Sequence, residues 1–166
     1  MTKLFFLFLG CILLNPKAIC QTFNIGDTLP NFQFKGLVNN DISLNQLRGT
    51  YVFVVFWASW NAESRKLNRE LLPVYSRYKD KNFSVGRRFN VVSVSIDANP
   101  KPYELAIKKD NPAWFYHYCD YKGWQTAPVK ICRVAQIPSN FLLDPKGVVI
   151  QKNIGIKELE LLLNKL

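Results

Sequence analysis

The chain has 166 residues, a length that supports one domain with a real core, and 48% of them are hydrophobic, which excludes a disordered or low-complexity protein. Its formal charge is +10, but the Lys and Arg residues are scattered, adjacent only at Arg65-Lys66, Arg87-Arg88 and Lys108-Lys109, and no nucleic-acid-binding motif accompanies them. A solvated basic surface is the plain reading; an acidic partner or an anionic membrane face is the other. Phosphate-binding glycine loops and metal-spaced ligand clusters are absent, so neither a cofactor nor a metal is expected.

Residues 1–20 read as a secretory signal peptide. Lys3 supplies the positive end, residues 4–14 form an apolar run too short to span a bilayer, and Asn15-Pro16 ends it. Ala18-Ile19-Cys20 offers a cleavage site, which makes Gln21 the expected mature start and residues 21–166 the domain, with a charge of +8 once Lys3 and Lys17 are gone. A rival reading takes Phe8-Leu9-Gly10-Cys11 as a lipidation site at Cys11, the one route to membrane association; only about six apolar residues precede it. Both readings put the domain in an oxidising setting outside the cytoplasm.

Residues 23–34 read as extended, with Phe32-Gln33-Phe34 alternating like a strand, a turn at Asn39-Asn40-Asp41 and a returning strand at Ile42-Ser43-Leu44. A short helical turn over 44–48 ends at Gly49. Residues 51–57 are a β-branched and aromatic run, the pattern of a buried strand. A helix then opens at Asn61, with an apolar stripe at Leu67, Leu71, Val74, Tyr75 and Tyr78; Pro73 inside it predicts a kink or a division into two. A polar loop over 79–88 leads to a second core strand over 89–96. A helix over 102–110, an aromatic strand over 113–119 and a loose helix over 125–134 follow. Residues 137–143 read as a strand running into an Asp144-Pro145-Lys146-Gly147 turn, with 148–152 returning and a terminal helix over 156–166. This order fits a central mixed β-sheet with helices on both faces.

Three stretches resemble the thioredoxin-like superfamily, in its TlpA-like or redoxin branch of bacterial envelopes. Trp57, Ala58, Trp60 and Arg65 match a strand, Trp-Ala-x-Trp, Cys-x-x-Cys-Arg segment; Gly26, Asp27, Pro30 and Phe32 match its N-terminal β-hairpin; Ile137-Pro138 and the turn at 144–147 match its proline loop. The resemblance covers residues 24–166 and implies a thioredoxin-like α/β fold, thiol–disulfide oxidoreductase ancestry and a periplasmic or envelope location. The two cysteines of the pattern are missing: Asn61 and Ser64 occupy their positions.

That exchange needs a thiolate to attack and a second thiol to resolve the mixed disulfide, and a helix N-terminus favours the thiolate. An amide cannot attack a disulfide, whereas Asn61 is a good N-cap. Ser64 offers only a hydroxyl, and as a hydrolase nucleophile it would need a base; the sole histidine, His117, falls in an aromatic strand. Val55 stands where thioredoxins proper carry a buried carboxylate. The resemblance also implies that Pro138 adopts a cis bond and that Ile137 presents its backbone to an extended partner peptide. Trp57, Trp60, Ile137 and Pro138 would then form a shallow apolar platform, unless the indoles pack internally.

Cys119 and Cys132 are the thiols left after signal cleavage. They are open to three readings: a structural disulfide, two buried free thiols, or a relocated redox pair. The functional expectations follow. The first is a redox-inactive thioredoxin-like protein that binds extended or unfolded polypeptide. The second is an oxidoreductase working through Cys119 and Cys132. The third is a structural component of an envelope complex.

Overall fold

The computed structural model describes residues 23–35, 41–114 and 116–166. The signal segment, Cys11 and the turn residues Asn39 and Asn40 lie outside them. Eleven strands and helices are described: β1 (Gln33–Lys35), β2 (Asp41–Ser43), β3 (Tyr51–Trp57), α1 (Ala62–Tyr78), β4 (Phe89–Ser95), α2 (Pro100–Asp110), β5 (Tyr116–Tyr118), α3 (Ala127–Cys132), β6 (Ser139–Leu143), β7 (Val149–Lys152) and α4 (Ile156–Lys165). Short 3-10 turns at Leu44–Leu47 and Gly123–Gln125 complete them.

Every residue of β3 is buried, and its alternate side chains serve two cores. Val52, Val54 and Phe56 meet Leu29, Phe32 and Phe34 of the N-terminal segment together with Val129 and Cys132 of α3. Tyr51, Phe53 and Val55 meet Leu71, Val74, Tyr75 and Tyr78 of α1 and Leu159 and Leu163 of α4. A strand apolar on both faces belongs in the middle of a covered sheet. The five-stranded order is accordingly β5-β4-β3-β6-β7, with β3, β4 and β5 parallel and β6 and β7 antiparallel. The hairpin β1-β2 is a separate two-stranded sheet. This is the thioredoxin-like architecture: a mixed sheet flanked by helices, with an N-terminal hairpin.

Three elements differ from expectation. The first helix runs unbroken from Ala62 to Tyr78 through Pro73. Pro73 cannot donate to the Arg69 carbonyl, but it lies on the exposed face while Leu71, Val74 and Tyr75 are buried around it, so core packing holds both halves in one helix. The second helix starts at Pro100, because the Asn99 side chain accepts the Lys101 N–H at 3.1 Å and a proline in the first turn forfeits no helical bond. The loose helix over 125–134 shrinks to α3, since Pro128 sits in its first turn and Arg133 leaves it with φ +53°.

The 144–147 turn forms as the sequence predicts. Asp144 Oδ1 accepts the Lys146 and Val148 N–H groups at 2.9 and 2.8 Å, and Gly147 takes φ +78°. A β-carbon on Gly147 would fall 0.9 Å from Arg48 Nη1. We expect Gly147→Ala to cost about 1–2 kcal/mol, from the left-handed backbone more than from the movable arginine. Urea unfolding measures it; an unchanged midpoint would contradict the assignment.

Candidate functional site

The carboxyl ends of parallel strands are where open α/β sheets offer their ligand sites, and the chain leaves β3 there through a tight turn. The Asn61 N–H donates to the Ala58 carbonyl at 3.2 Å, and Asn61 itself stays extended (φ −93°, ψ 113°). Its Oδ1 accepts the Ser64 N–H at 2.8 Å, so Asn61 is the N-cap of α1. Ser64, one turn on, is fully buried, and among the described residues its Oγ has no hydrogen-bond partner.

The turn is anchored from below by Asp97, which follows β4 and is 1% exposed. Its Oδ2 accepts from the Ser59 N–H at 2.9 Å and the Ser95 hydroxyl at 2.6 Å, and its Oδ1 accepts from the Ser59 hydroxyl at 2.6 Å. In the sequence Asp97 marks only the end of a strand. A serine two residues before it, and a serine in the turn after the neighbouring strand, are the signal that joins them. From the other side, Arg65 Nε and Nη2 donate to the two oxygens of Asp110 at 2.7 Å each, tying the start of α1 to the end of α2. Those hydrogen bonds hold the Asp110 carboxyl below its usual value.

The Ile137–Pro138 bond is cis. Since Ser139 pairs with Phe56 in antiparallel register, Ile137 and Pro138 lie beside the carboxyl end of β3, on the edge that carries Asn61. Trp60, in the turn, is 62% exposed. Trp57 is the correction to the expected platform. It is 2% exposed, its ring 5.9 Å from that of Tyr103, because it is the last residue of a strand whose sides are all covered. It can back the surface but not present itself to a ligand. Trp60, Ile137 and Pro138 remain at the edge.

Cys119 and Cys132 are free thiols, so no disulfide joins them in this fold. Cys119 follows β5, half-buried, with Sγ 3.9 Å from the Asp97 carbonyl. Cys132 closes α3 inside the hairpin-side core. Burial raises both thiol pKa values, that of Cys132 to about 12. Reactive thiolates need the opposite shift. His117 is equally unavailable as a base for Ser64. Its Nε2 lies 2.9 Å from the Trp114 carbonyl, its ring stacks on Trp114, and burial lowers its pKa to about 4.

A helix capped at the carboxyl end of a buried central strand, faced by a cis proline, defines a thioredoxin-like protein. A thioredoxin-like family model matches residues 49–149. The thiol-disulfide oxidoreductase ResA of Bacillus cereus is 27% identical over 135 residues, covering 81% of this chain and 72% of that protein. Among solved structures, the thioredoxin domain of a thiol-disulfide oxidoreductase from Bacteroides vulgatus superposes with a TM-score of 0.75 at 26% identity, covering 87% of this chain and 98% of that one. A thiol-disulfide oxidoreductase from Bacteroides fragilis gives 0.72 at 27%, covering 84% and 98%. The chain belongs to the thioredoxin-like family, within its redoxin, thiol-disulfide oxidoreductase branch.

The cap should be worth measuring directly. Asn61→Ala should lower stability by about 1 kcal/mol through the orphaned Ser64 N–H, whereas Asn61→Ser should restore most of it. Thermal or urea unfolding reads both; an Asn61→Ala variant as stable as the natural chain would mean that the cap carries no weight.

Proposed function

We propose that this protein is a redox-inactive member of the thiol-disulfide oxidoreductase branch that retains the peptide-binding edge of the fold. The observation that carries this reading is the Asn61 cap. Where the resemblance requires a nucleophilic sulfur, an amide oxygen accepts the Ser64 N–H at 2.8 Å. The helix N-terminus that would activate a thiolate is thus used structurally, at no cost to the helix. Ser64, at the resolving position, is sealed from solvent, and its hydroxyl has no hydrogen-bond partner among the described residues.

The recognition apparatus is independent of sulfur. Cis Pro138 and the preceding Ile137 offer main-chain groups to an extended strand, and exposed Trp60 offers an aromatic anchor beside them. The partner in this reading is extended or unfolded polypeptide, met outside the cytoplasm if residues 1–20 act as a signal peptide. A relocated Cys119/Cys132 pair has burial and raised thiol pKa values against it. A purely structural role in an envelope complex has only the net positive charge in its favour.

The test is a titration with a neutral, extended, cysteine-free peptide carrying a fluorescent label, followed by anisotropy. The natural protein should bind it, and Trp60→Ala should bind at least about tenfold more weakly, as loss of an aromatic anchor does. Equal binding by both proteins, or none by either, would contradict the proposal.

A further inference from the structure

The turn that presents Trp60 leads directly into a charged groove. Ala62, Arg65 and Arg69 of α1 line it on one side and Lys109 and Asp110 of α2 on the other, around a volume of about 480 Å³. Pockets of about 300–1,000 Å³ hold small ligands, so this one is ample for a side chain. Its lining sets three cations against one carboxylate.

The single carboxylate is already committed. Both Asp110 oxygens receive Arg65 at 2.7 Å, and the Asp110 side chain is only 9% exposed. Arg69 approaches the same carboxylate no closer than 3.7 Å and stays 53% exposed, and among the described residues its guanidinium makes no hydrogen bond. Lys109 is exposed and forms no ion pair among the described residues. The groove therefore holds one bidentate ion pair, a second and looser one from Arg69 to the same carboxylate, and Lys109; among the described residues the hydrogen-bond donors of Arg69 and Lys109 are uncommitted. A planar guanidinium beside an ammonium suits an incoming carboxylate, which can take two parallel bonds from the arginine. The other charged residues next to the lining residues along the two helices are Glu63, Lys66 and Glu70 on α1 and Lys108 on α2, all exposed, two of each sign.

Resting on the peptide-binding reading above, we propose that the partner is an acidic polypeptide segment, with a Glu or Asp side chain seated between Arg69 and Lys109 while the chain beside it crosses Trp60 and the Ile137–Pro138 edge. Charge complementarity selects this occupant over a neutral or basic one, and Ala62, which lines the groove, follows Trp60 by two residues, so a single extended ligand is the occupant proposed for both contacts. Arg65 is a positioning residue here: by taking both Asp110 oxygens in hydrogen bonds it leaves the donors of Arg69, 3.7 Å from that carboxylate, and of Lys109 open to a second carboxylate.

The experiment uses the natural protein and the Arg69→Gln/Lys109→Gln variant, whose altered side chains are exposed and which keeps the bidentate Arg65–Asp110 pair that ties α1 to α2. Two labelled, cysteine-free peptides of equal length are titrated by anisotropy at low salt, one neutral and one with two glutamates replacing glutamines. The acidic peptide should bind the natural protein about threefold to fivefold more tightly than the neutral one. That advantage should vanish in the double variant and shrink at high salt, while the neutral peptide binds both proteins alike. Equal affinity for the two peptides overturns the acidic preference and leaves the peptide-binding reading intact. Binding of neither peptide overturns both. Retention of the acidic preference in the double variant, or displacement of the peptide by anionic lipid vesicles as effectively as by unlabelled acidic peptide, also overturns the proposal.

Discussion

The double burial of β3 is the constraint from which the remaining architecture follows. Seven consecutive residues with no exposed side require cover on both faces, and α1 with α4 supply one side while the N-terminal segment, hairpin and α3 supply the other. With cover on both faces, the free outlet is the strand's carboxyl end. The turn at 58–61, the cap of α1 and the cis proline all gather there. The fold thus makes a site at this edge before any chemistry is assigned to it, and the identity of two residues decides what the site can do.

Asn61 shows how a fold and its activity separate. A cysteine at a helix N-terminus draws on free N–H groups and the positive dipole end to hold a thiolate. An asparagine draws on the same N–H groups for a neutral hydrogen bond. Both satisfy the helix, so selection for folding alone tolerates either, and only the first supports disulfide exchange. Around Asn61 the supporting structure is intact. Asp97 holds the turn through Ser59, Arg65 joins the helix to α2, and Pro138 keeps its cis bond.

Most of the fold was legible because its signals are local. The apolar run 51–57, the stripe on α1, the Asp-Pro-Lys-Gly turn and the capping preference of Asn61 each depend on near neighbours in sequence, and each appears as read. What the sequence hid depends on distant partners. Pro73 reads as a breaker until the core on either side of it is known. Trp57 and Trp60 look equivalent in a Trp-Ala-x-Trp segment, yet one ends a covered strand and the other tips a turn. Asp97 and Ser59 are 38 residues apart, and only the parallel pairing of β3 with β4 unites them. The groove between α1 and α2 likewise needs Arg65 and Asp110 together, 45 residues apart.

The account rests on the claim that the scaffold is sound and that positions 61 and 64 alone withhold the reaction. Insulin-disulfide reduction with dithiothreitol as electron donor, comparing the natural protein with the Asn61→Cys/Ser64→Cys variant, tests it most directly. The account predicts a natural protein no faster than the dithiothreitol blank and a variant clearly above it. A natural protein that reduces insulin would contradict the claim and return Cys119 and Cys132 to the catalytic role. A folded variant that stays inactive would contradict it as well, since the loss would then lie in the scaffold and not in two side chains.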